Sequence, residues 1–289
     1  MIAFVLLVFS GGVDEKILSR AQEGNEQLEV LVEVSGRKNI PDYASINGEI
    51  LMVTIYDNES KERGVYWYQK DKIIKKINGA TFGMFSPDGK YYSFVKDGAV
   101  HVFDMEDNLL ASLSLLGKRL LISKRWSYDS KYIYVCEVDE DYSIYRFNLQ
   151  TLEREMLMNT REYFKPIPVK NATELYMLKD KLPPDISGID CEIVKYDIQE
   201  KTFEPVKLPD IDNLHIYDIF TVSPDEKIIM FRGRGQIYVI DQVNMKEIDR
   251  VPSGYEIFAW DPESRYVLLT LTLKEVCKYT IPELESNFK

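Results

Sequence analysis

Short, unbroken apolar runs recur along the chain, and each follows a polar stretch. Four runs are clear: Tyr91–Val95, Tyr132–Val135, Ile228–Phe231 and Tyr266–Leu269. They are rich in aromatic and β-branched side chains, and runs of four or five such residues predict strands that are buried on both faces. The apolar pattern therefore predicts a β-rich protein with tightly covered sheets.

A second strand pattern follows each apolar run after a short gap. Its six copies are Gly64–Tyr68, Ala99–Asp104, Ser143–Asn148, Glu192–Asp197, Gln236–Asp241 and Glu275–Thr280. Several copies end in Asp or Asn, which commonly begin hairpin turns. Six copies predict six repeated units, each containing at least one hairpin.

A turn phrase precedes the apolar runs. It reads F-S-P-D-G-K-Y from Phe85, W-S-Y-D-S-K-Y from Trp126, V-S-P-D-E-K-I from Val222 and W-D-P-E-S-R-Y from Trp260. The intervals of 41, 96 and 38 residues fit one period with a blurred copy in the middle gap. Ser, Pro, Asp and Gly in this order suit a type I turn. Weaker phrases stand at Ala44–Glu49 and Pro168–Thr173, where the period requires them.

A repeat of this length made of short strands predicts an all-β fold, a six-bladed β-propeller with four-stranded antiparallel blades. The last blade ends near Ile281-Pro282 and lacks an outer strand. Near the start, Glu29–Gly36 is similar to Glu247–Gly254, the predicted outer strand of blade five. We therefore expect Gln27–Val34 to complete the last blade. The propeller is predicted to span residues 26–289, after a separate segment at 1–25.

The turn phrase and the two strand patterns resemble those of the TolB-like, WD-repeat-like six-bladed propellers. The resemblance covers about Gln27 to Pro282. Blades one and four have lost the S-P-D phrase, and Tyr128 stands in blade three where that family has Pro. The resemblance implies a protein-interaction platform, a substrate-gating domain of a peptidase or, in related six-bladed forms, a metal-dependent hydrolase. Fold analogy does not choose among these functions.

Composition narrows the class of partner. The chain has 289 residues, 45% hydrophobic and 12% aromatic, which is ample for one folded domain. Its formal net charge of −11 argues against nucleic acid, whose binding proteins usually present a basic face. The densest basic residues, Lys118-Arg119 and Lys124-Arg125, are predicted to lie in solvent; the alternative is a docking patch for an acidic partner. We expect a monomer that binds no nucleic acid.

The N-terminus is apolar from Met1 to Phe9. This run is too short to span a bilayer but has the length of the hydrophobic region of an export signal. A short helix is predicted at Val13–Glu23. We expect an exported or cell-envelope protein whose membrane association, if any, occurs through this segment. The alternative is a cytoplasmic protein whose N-terminal segment packs on the propeller.

The search for chemistry gives little. His101 and His215 stand outside any metal-binding motif, and the three cysteines show no C-x-x-C spacing. His101 and two of the cysteines, Cys136 and Cys277, fall within predicted strands and are expected to be structural. The sequence therefore predicts no catalytic residue, no metal ligand and no cofactor.

Three long loops are predicted around blade four: Asn159–Pro168, Lys179–Asp190 and Leu208–Ile216. They share one face of the propeller, and long loops clustered on a rigid scaffold often carry binding sites. Their candidate partner-binding residues are Tyr163, Phe164, Pro184, Asp185, His215 and the nearby Tyr217. Aromatic and proline side chains of this kind are typical anchors for a protein partner. The alternative is that these loops are tolerated insertions.

Two functions from different classes follow. The first is a non-catalytic propeller of the cell envelope that binds a protein or peptide at the face around blade four. The alternative is a metal-dependent hydrolase or lactonase with a cation in the central channel, for which the predicted inner strands offer the acids Asp218 and Glu256. A third hypothesis is a propeller subunit whose catalytic domain lies on another chain.

Overall fold

The computed structural model describes residues 28–34, 38–39, 44–70, 72–116, 120–180, 191–209, 216, 219–233, 236–252, 256–270 and 275–281. Within these ranges every regular element is a β-strand, and the strands form six sheets. The part of the chain described here contains no helix with the length and apolar character to cross a membrane. The segment 1–25, including the helix predicted at Val13–Glu23, lies outside the described residues.

Each sheet is one blade. Blade one contains β2 (Lys38–Asn39), β3 (Ala44–Asn47), β4 (Ile50–Asp57), β5 (Arg63–Gln69) and β6 (Lys72–Asn78). Blade two contains β7 (Thr81–Phe85), β8 (Tyr91–Lys96), β9 (Ala99–Asp104) and β10 (Leu109–Ser114). Blade three contains β11 (Leu120–Trp126), β12 (Tyr132–Val138), β13 (Tyr142–Asn148) and β14 (Arg154–Thr160).

The second half of the chain repeats this arrangement. Blade four contains β15 (Tyr163–Pro168), β16 (Glu174–Asp180), β17 (Cys191–Asp197) and β18 (Thr202–Pro205). Blade five contains β19 (Phe220–Val222), β20 (Ile228–Gly233), β21 (Gln236–Asp241) and β22 (Lys246–Pro252). Blade six contains β23 (Glu256–Trp260), β24 (Tyr266–Thr270), β25 (Glu275–Thr280) and the N-terminal β1 (Leu28–Glu33).

The strands of each blade are antiparallel neighbours, from a first strand at the axis to an outer strand at the rim. In blade one the position of the first strand is shared by β2 and β3, which both pair with β4. First strands contact first strands of other blades, as β3 contacts both β7 and β23. The predicted six-bladed, four-stranded propeller is therefore confirmed. We call the face that carries the turns between first and second strands the turn face, and the opposite face the loop face.

The hydrophobic core is divided among the gaps between blades. Val32 of blade six packs in one apolar cluster with Leu51 of blade one. Val102 of blade two shares another cluster with Val135 of blade three. Because each blade is covered on both sides by a neighbour, its middle strands are apolar at consecutive positions rather than alternate ones. This arrangement explains the unbroken apolar runs in the sequence.

The N-terminal strand closes the propeller. β1 pairs antiparallel with β25, with Leu28 opposite Tyr279, Val30 opposite Cys277 and Glu33 opposite Glu275. This pairing confirms that Gln27–Val34 contains the outer strand of the last blade. It covers the edge of β25, where Cys277 and Tyr279 are fully buried. Strand pairing between the two ends of the chain thus gives blade six its fourth strand.

The prediction of a long loop at Asn159–Pro168 was wrong. β14 continues to Thr160 and β15 begins at Tyr163, so this segment is mostly strand. Pairing between β15 and β16 is irregular between Phe164 and Ile167, where Pro166 lies. A first strand also has a sheet neighbour on one side only, so a missing N–H is tolerated there as on other sheet edges.

A disulfide across the closure should stabilise the propeller. In a Val30→Cys variant, a new thiol lies on the cross-strand partner of Cys277, at a Cα separation typical of disulfides. Oxidation would join the two ends of the propeller and restrict the unfolded chain, so we expect a higher melting temperature that dithiothreitol reverses. In the control Glu29→Cys, the new residue pairs with Lys278 instead. A reducible increase of equal size in this control would contradict the register of β1.

Candidate functional site

The structure places two of the six residues predicted to bind a partner. Tyr163 is half-buried at the start of β15, and the ammonium group of Lys179 lies 5.8 Å from its ring centroid. Phe164 is buried and stacks on Tyr142 of blade three, with ring centroids 5.2 Å apart. Both belong to a strand rather than to a loop. Phe164 therefore contributes to the packing between blades three and four.

The other four candidates, Pro184, Asp185, His215 and Tyr217, lie outside the described residues. The same holds for Asp218, one of the two acids considered for a channel cation. A binding role for these residues stays a prediction.

A different site is formed at the turn face, where the first strands converge on the axis. It is a cavity of about 80 Å³, which we call the axial cavity. All six blades line it, with Ser45 from blade one, Pro87 from two, Trp126 from three, Pro168 from four, Thr221 from five and Trp260 from six. These residues are spread along most of the chain, and several of them belong to copies of the repeated turn phrase.

The repeated turn phrase builds the rim of this cavity. In blade two the Ser86 hydroxyl accepts a hydrogen bond from the Tyr91 N–H (2.9 Å) and donates one to Asp88 Oδ1 (2.7 Å). The same two bonds, with the same lengths, form at Ser127 in blade three and Ser223 in blade five. Each serine thus joins its turn to the strand that follows, which is the physical reason for the S-x-D pattern.

Hydrogen bonds also connect turns of adjacent blades. The Asp88 N–H donates to Ser130 Oγ of blade three (3.2 Å), and the Asp225 N–H donates to Ser264 Oγ of blade six (3.3 Å). The Asn47 side chain of blade one donates to the Gly89 carbonyl (2.9 Å). The turn face is therefore a cross-linked rim whose geometry is held independently of any ligand.

The carboxylates of the rim are engaged in these turns. Partial burial alone would raise the pKa of Asp88, Asp129 and Asp225, but hydrogen bonds from the turn serine and a backbone N–H outweigh burial and lower the pKa of each. Asp261 takes the place of serine in blade six and is almost fully buried. It forms a two-point ion pair with Arg265 at 2.7 and 2.8 Å. These acids stabilise local structure.

Tyr128 is the one departure from proline at the second position of the complete turn phrases, and its side chain lines the axial cavity. Burial raises the pKa of its hydroxyl; Arg125 opposes this effect, whereas Asp261 and Asp225 add to it. Its neighbours thus include residues of blades five and six, on the other side of the cavity from blade three. At neutral pH Tyr128 remains a protonated hydrogen-bond donor.

The basic pair Lys124-Arg125 was predicted to lie in solvent, and this is wrong. Lys124 is fully buried between blades two and three, where its ammonium group donates to Ser93 Oγ (2.5 Å) and to the Ser93 carbonyl (3.3 Å). Burial, with a smaller effect from Arg125, lowers the pKa of Lys124 well below its usual value. Arg125 is half-buried and lines the axial cavity. The sequence showed the charges but not which side of the strand they occupy.

The two tryptophans of the cavity have different environments. The Trp126 indole N–H donates to Ser93 Oγ at 3.0 Å. At the equivalent place in blade five stands Met230, and the buried Trp260 indole N–H has no hydrogen-bond partner among the described residues. Met230 and Trp260 belong to one apolar cluster. Ser93 is thus the acceptor for two buried donors, whereas Met230 accepts no hydrogen bond from the Trp260 indole N–H.

The described residues contain no group of three or more His, Cys, Asp or Glu side chains that could hold a metal ion. The lining of the axial cavity offers hydroxyl groups, aromatic rings, prolines, one guanidinium group and the ion-paired Asp261. His101 lies in β9 and contacts the Lys96 carbonyl at 3.2 Å, as expected for a structural residue. The cysteines Cys136, Cys191 and Cys277 are all buried.

No protein-family model and no curated protein matches the sequence. Among solved structures, oligogalacturonate lyase in complex with manganese is similar at 12% identity and a TM-score of 0.57, over 88% of this chain and 91% of that one. Oligogalacturonate lyase from Vibrio parahaemolyticus is similar at 10% identity and a TM-score of 0.54, over 89% and 94%.

The β-propeller domain of the Trilobed protease from Pyrococcus furiosus, described as having an open velcro topology, is similar at 12% identity and a TM-score of 0.53, over 84% of this chain and 96% of that one. At these identities the similarity establishes the propeller fold alone.

Acid should destabilise the turn face in a defined pH range. The folded-state pKa values of Asp88, Asp129 and Asp225 lie below the usual 3.8, so protons bind the unfolded chain first as the pH falls. The stability from these groups is complete above about pH 4 to 5 and is lost as the pH falls through the lowered values. In a triple Asp→Asn variant, we expect a lower melting temperature at pH 7 and a weaker dependence between about pH 5 and 2. An unchanged acid dependence in thermal melts would contradict this role.

Removing the Ser93 hydroxyl should weaken the interface between blades two and three. Ser93→Ala leaves the Trp126 indole N–H without its acceptor and removes the hydroxyl acceptor of the Lys124 ammonium group. We expect a loss of about 1–3 kcal/mol in the free energy of unfolding, measured by urea denaturation. Ser112→Ala, at an exposed position of the same blade, is the matched control and should change stability by less than about 0.5 kcal/mol. Equal effects in the two variants would refute the assignment.

Proposed function

We propose that this chain is a non-catalytic β-propeller that binds a protein or peptide segment at the axial cavity of its turn face. The proposal rests on the division of the side chains around this cavity into two groups. The carboxylates of the rim are hydrogen-bonded or ion-paired within their own turns. Aromatic, proline, aliphatic and hydroxyl side chains form the rest of the lining together with one arginine, Arg125. Such a lining suits recognition of a polypeptide, in which rigid rings and Arg act as anchors.

The size of the cavity supports a segment that inserts one side chain. A cavity needs about 10–15 Å³ to hold one water molecule, and an engineered cavity of about 150 Å³ binds benzene. The axial cavity, at about 80 Å³, lies between these values. Arg125 and Tyr128 supply hydrogen-bond donors beside the apolar wall, and a guanidinium group favours a carboxylate or a carbonyl oxygen. A small side chain with an adjacent oxygen acceptor fits this arrangement.

A metal-dependent hydrolase, lactonase or lyase is the second candidate, because two of the similar solved structures are oligogalacturonate lyases and one of them holds manganese. Manganese favours several oxygen or imidazole ligands. In the described lining the one carboxylate is Asp261, which Arg265 already neutralises. Glu256 begins β23, and its side chain is not among those described. This donor set does not fit the metal, so we derive no reaction step through it.

The proposal extends to features that the sequence predicted. They are membership of the TolB-like propellers, location in the cell envelope and a monomeric state. The loop face around blade four, with Tyr163, is kept as the competing surface for the partner. Because Tyr163 lies at the loop face and the axial cavity at the turn face, substitutions at one surface leave the other unchanged, and their effects on binding distinguish the two.

The test uses a phage-displayed library of random dodecapeptides selected on the full-length chain. Enriched peptides are synthesised, and their dissociation constants are measured by fluorescence anisotropy. We expect Tyr128→Pro, which restores the residue of the other turns, and Arg125→Gln each to weaken binding by about tenfold or more. Lys227→Gln, an exposed lysine of the blade-five turn that is absent from the cavity lining, is the control and should change binding less than about twofold.

Three outcomes overturn the proposal. Loss of binding in Tyr163→Ala alone would place the site at the loop face. A failure to enrich any peptide would argue against peptide recognition. A stoichiometric metal ion found by elemental analysis, with a lower melting temperature after chelation, would favour the hydrolase or lyase.

A further inference from the structure

The outer strand of blade two differs from the outer strands of the other five blades. An outer strand leaves one row of backbone N–H and C=O groups without a strand neighbour, and natural proteins protect such edges with charged residues or proline. Five outer strands carry this protection: K-I-I-K-K-I-N in β6, R-E-M-L-M-N-T in β14, T-F-E-P in β18, K-E-I-D-R-V-P in β22 and L-E-V-L-V-E in β1. β10 reads L-L-A-S-L-S and carries neither a charge nor a proline.

The irregular pairing of β10 does not distinguish it from most of the other outer strands. Pairing between β9 and β10 shifts between Leu109 and Ala111, but similar shifts occur where β6, β14, β22 and β1 pair with their neighbours. From Ala111 to Ser114 the pairing is regular. No strand among the described residues pairs with the outer edge of β10. Four regularly extended residues are therefore open to backbone pairing.

An apolar groove borders this edge. It has a volume of about 240 Å³ and lies between blades two and three, three times the volume of the axial cavity. Its walls include Tyr91, Val102, Leu110 and Ala111 from blade two and Lys131 and Leu149 from blade three. Leu109 and Leu110 are 56% and 48% exposed, and Leu152, in the turn that follows Leu149, is 52% exposed. Apolar surface gathered in this way often marks a contact site.

We propose that blade two binds an extended segment of a protein partner, which adds a strand to the outer edge of β10 and places apolar side chains in this groove. The two observations are independent, since one concerns the backbone edge and the other the side chains beside it. Unpaired N–H and C=O groups in a row are matched by another extended backbone, and alternate side chains of the added strand point to the same face. The outer edge of β10 lies at the periphery of the propeller and not at the axial cavity. The inference therefore concerns a second binding surface and goes beyond the proposed function.

The groove favours a different polypeptide over a second copy of this chain. If two copies of β10 paired antiparallel, each would present Ala111 and Leu113 on the side that borders the groove. Both side chains are already buried within their own blade, at 6% and 5% exposure. Within the regularly paired segment Ala111–Ser114, a second copy therefore has no exposed apolar side chain to place there. An extended partner with alternating apolar residues fills the groove and pairs with the edge at the same time.

The experiment uses the same dodecapeptide library and the full-length chain. We expect a class of peptides with alternating apolar residues whose binding falls by about tenfold or more in Ser112→Lys/Ser114→Lys, which charges the edge, and in Leu110→Lys, which charges the groove. The matched control is Ile74→Lys in β6, because Ile74 is 49% exposed and Leu110 is 48% exposed. Binding of this class should be unchanged in the control and in Tyr128→Pro. Hydrogen exchange of residues 111–114 should slow when peptide is bound.

The remaining outcomes overturn this inference. Peptides that lose affinity in Tyr128→Pro but not in the β10 variants would leave the axial proposal standing and remove this one. Absence of any peptide class sensitive to the β10 variants would do the same. A dimer of the wild-type chain in sedimentation experiments, abolished by Ser112→Lys/Ser114→Lys, would identify a second copy as the occupant. Circular dichroism and melting temperatures check that all variants fold.

Discussion

Each blade of this propeller is apolar on both faces and relies on two neighbours to exclude water. Val32, Leu51 and their cluster fill one such gap, and the other gaps are filled in the same way. An open series of blades would leave two apolar faces in contact with water, so the blades must close into a ring. The pairing of β1 with β25 provides this closure, and the other features of the molecule depend on it. The axial cavity exists because six first strands are brought around one axis.

The repeated phrase of the turn face keeps the same hydrogen bonds even where its second residue is not proline. In blades two, three and five the serine and the aspartate hold the turn, and the lowered pKa of each aspartate reports its hydrogen bonds rather than a catalytic role. Tyr128 replaces proline without disturbing this scheme, because the Ser127 and Asp129 bonds remain. The substitution adds an aromatic ring and a hydroxyl group to a rim that is already rigid. Recognition can therefore vary at this position without loss of the fold.

The outer edges follow a different physical rule. No described strand pairs with the outer edge of any blade, and charges or proline on five of the outer strands make pairing with another chain unfavourable. β10 lacks these residues and borders the larger groove. The propeller thus offers two chemically different surfaces. One is the axial cavity, with an arginine and a tyrosine, and the other is the uncharged outer edge of β10 beside apolar side chains. Neither surface depends on the other.

The sequence by itself determined the propeller, its six blades and its closure, because these follow from local patterns that repeat: a turn phrase, an apolar run and a second strand. Predictions from the sequence were wrong where the residue types suggested one environment and packing between blades imposed another. The segment Asn159–Pro168 was predicted to be a loop, but most of it is strand, and a first strand tolerates Pro166. Lys124 was predicted to lie in solvent, but its side chain is buried between blades two and three. Only the tertiary structure brought Pro87, Tyr128 and Trp260 to one cavity, since they lie on three blades. Packing between blades, which no single repeat encodes, decides which residues meet.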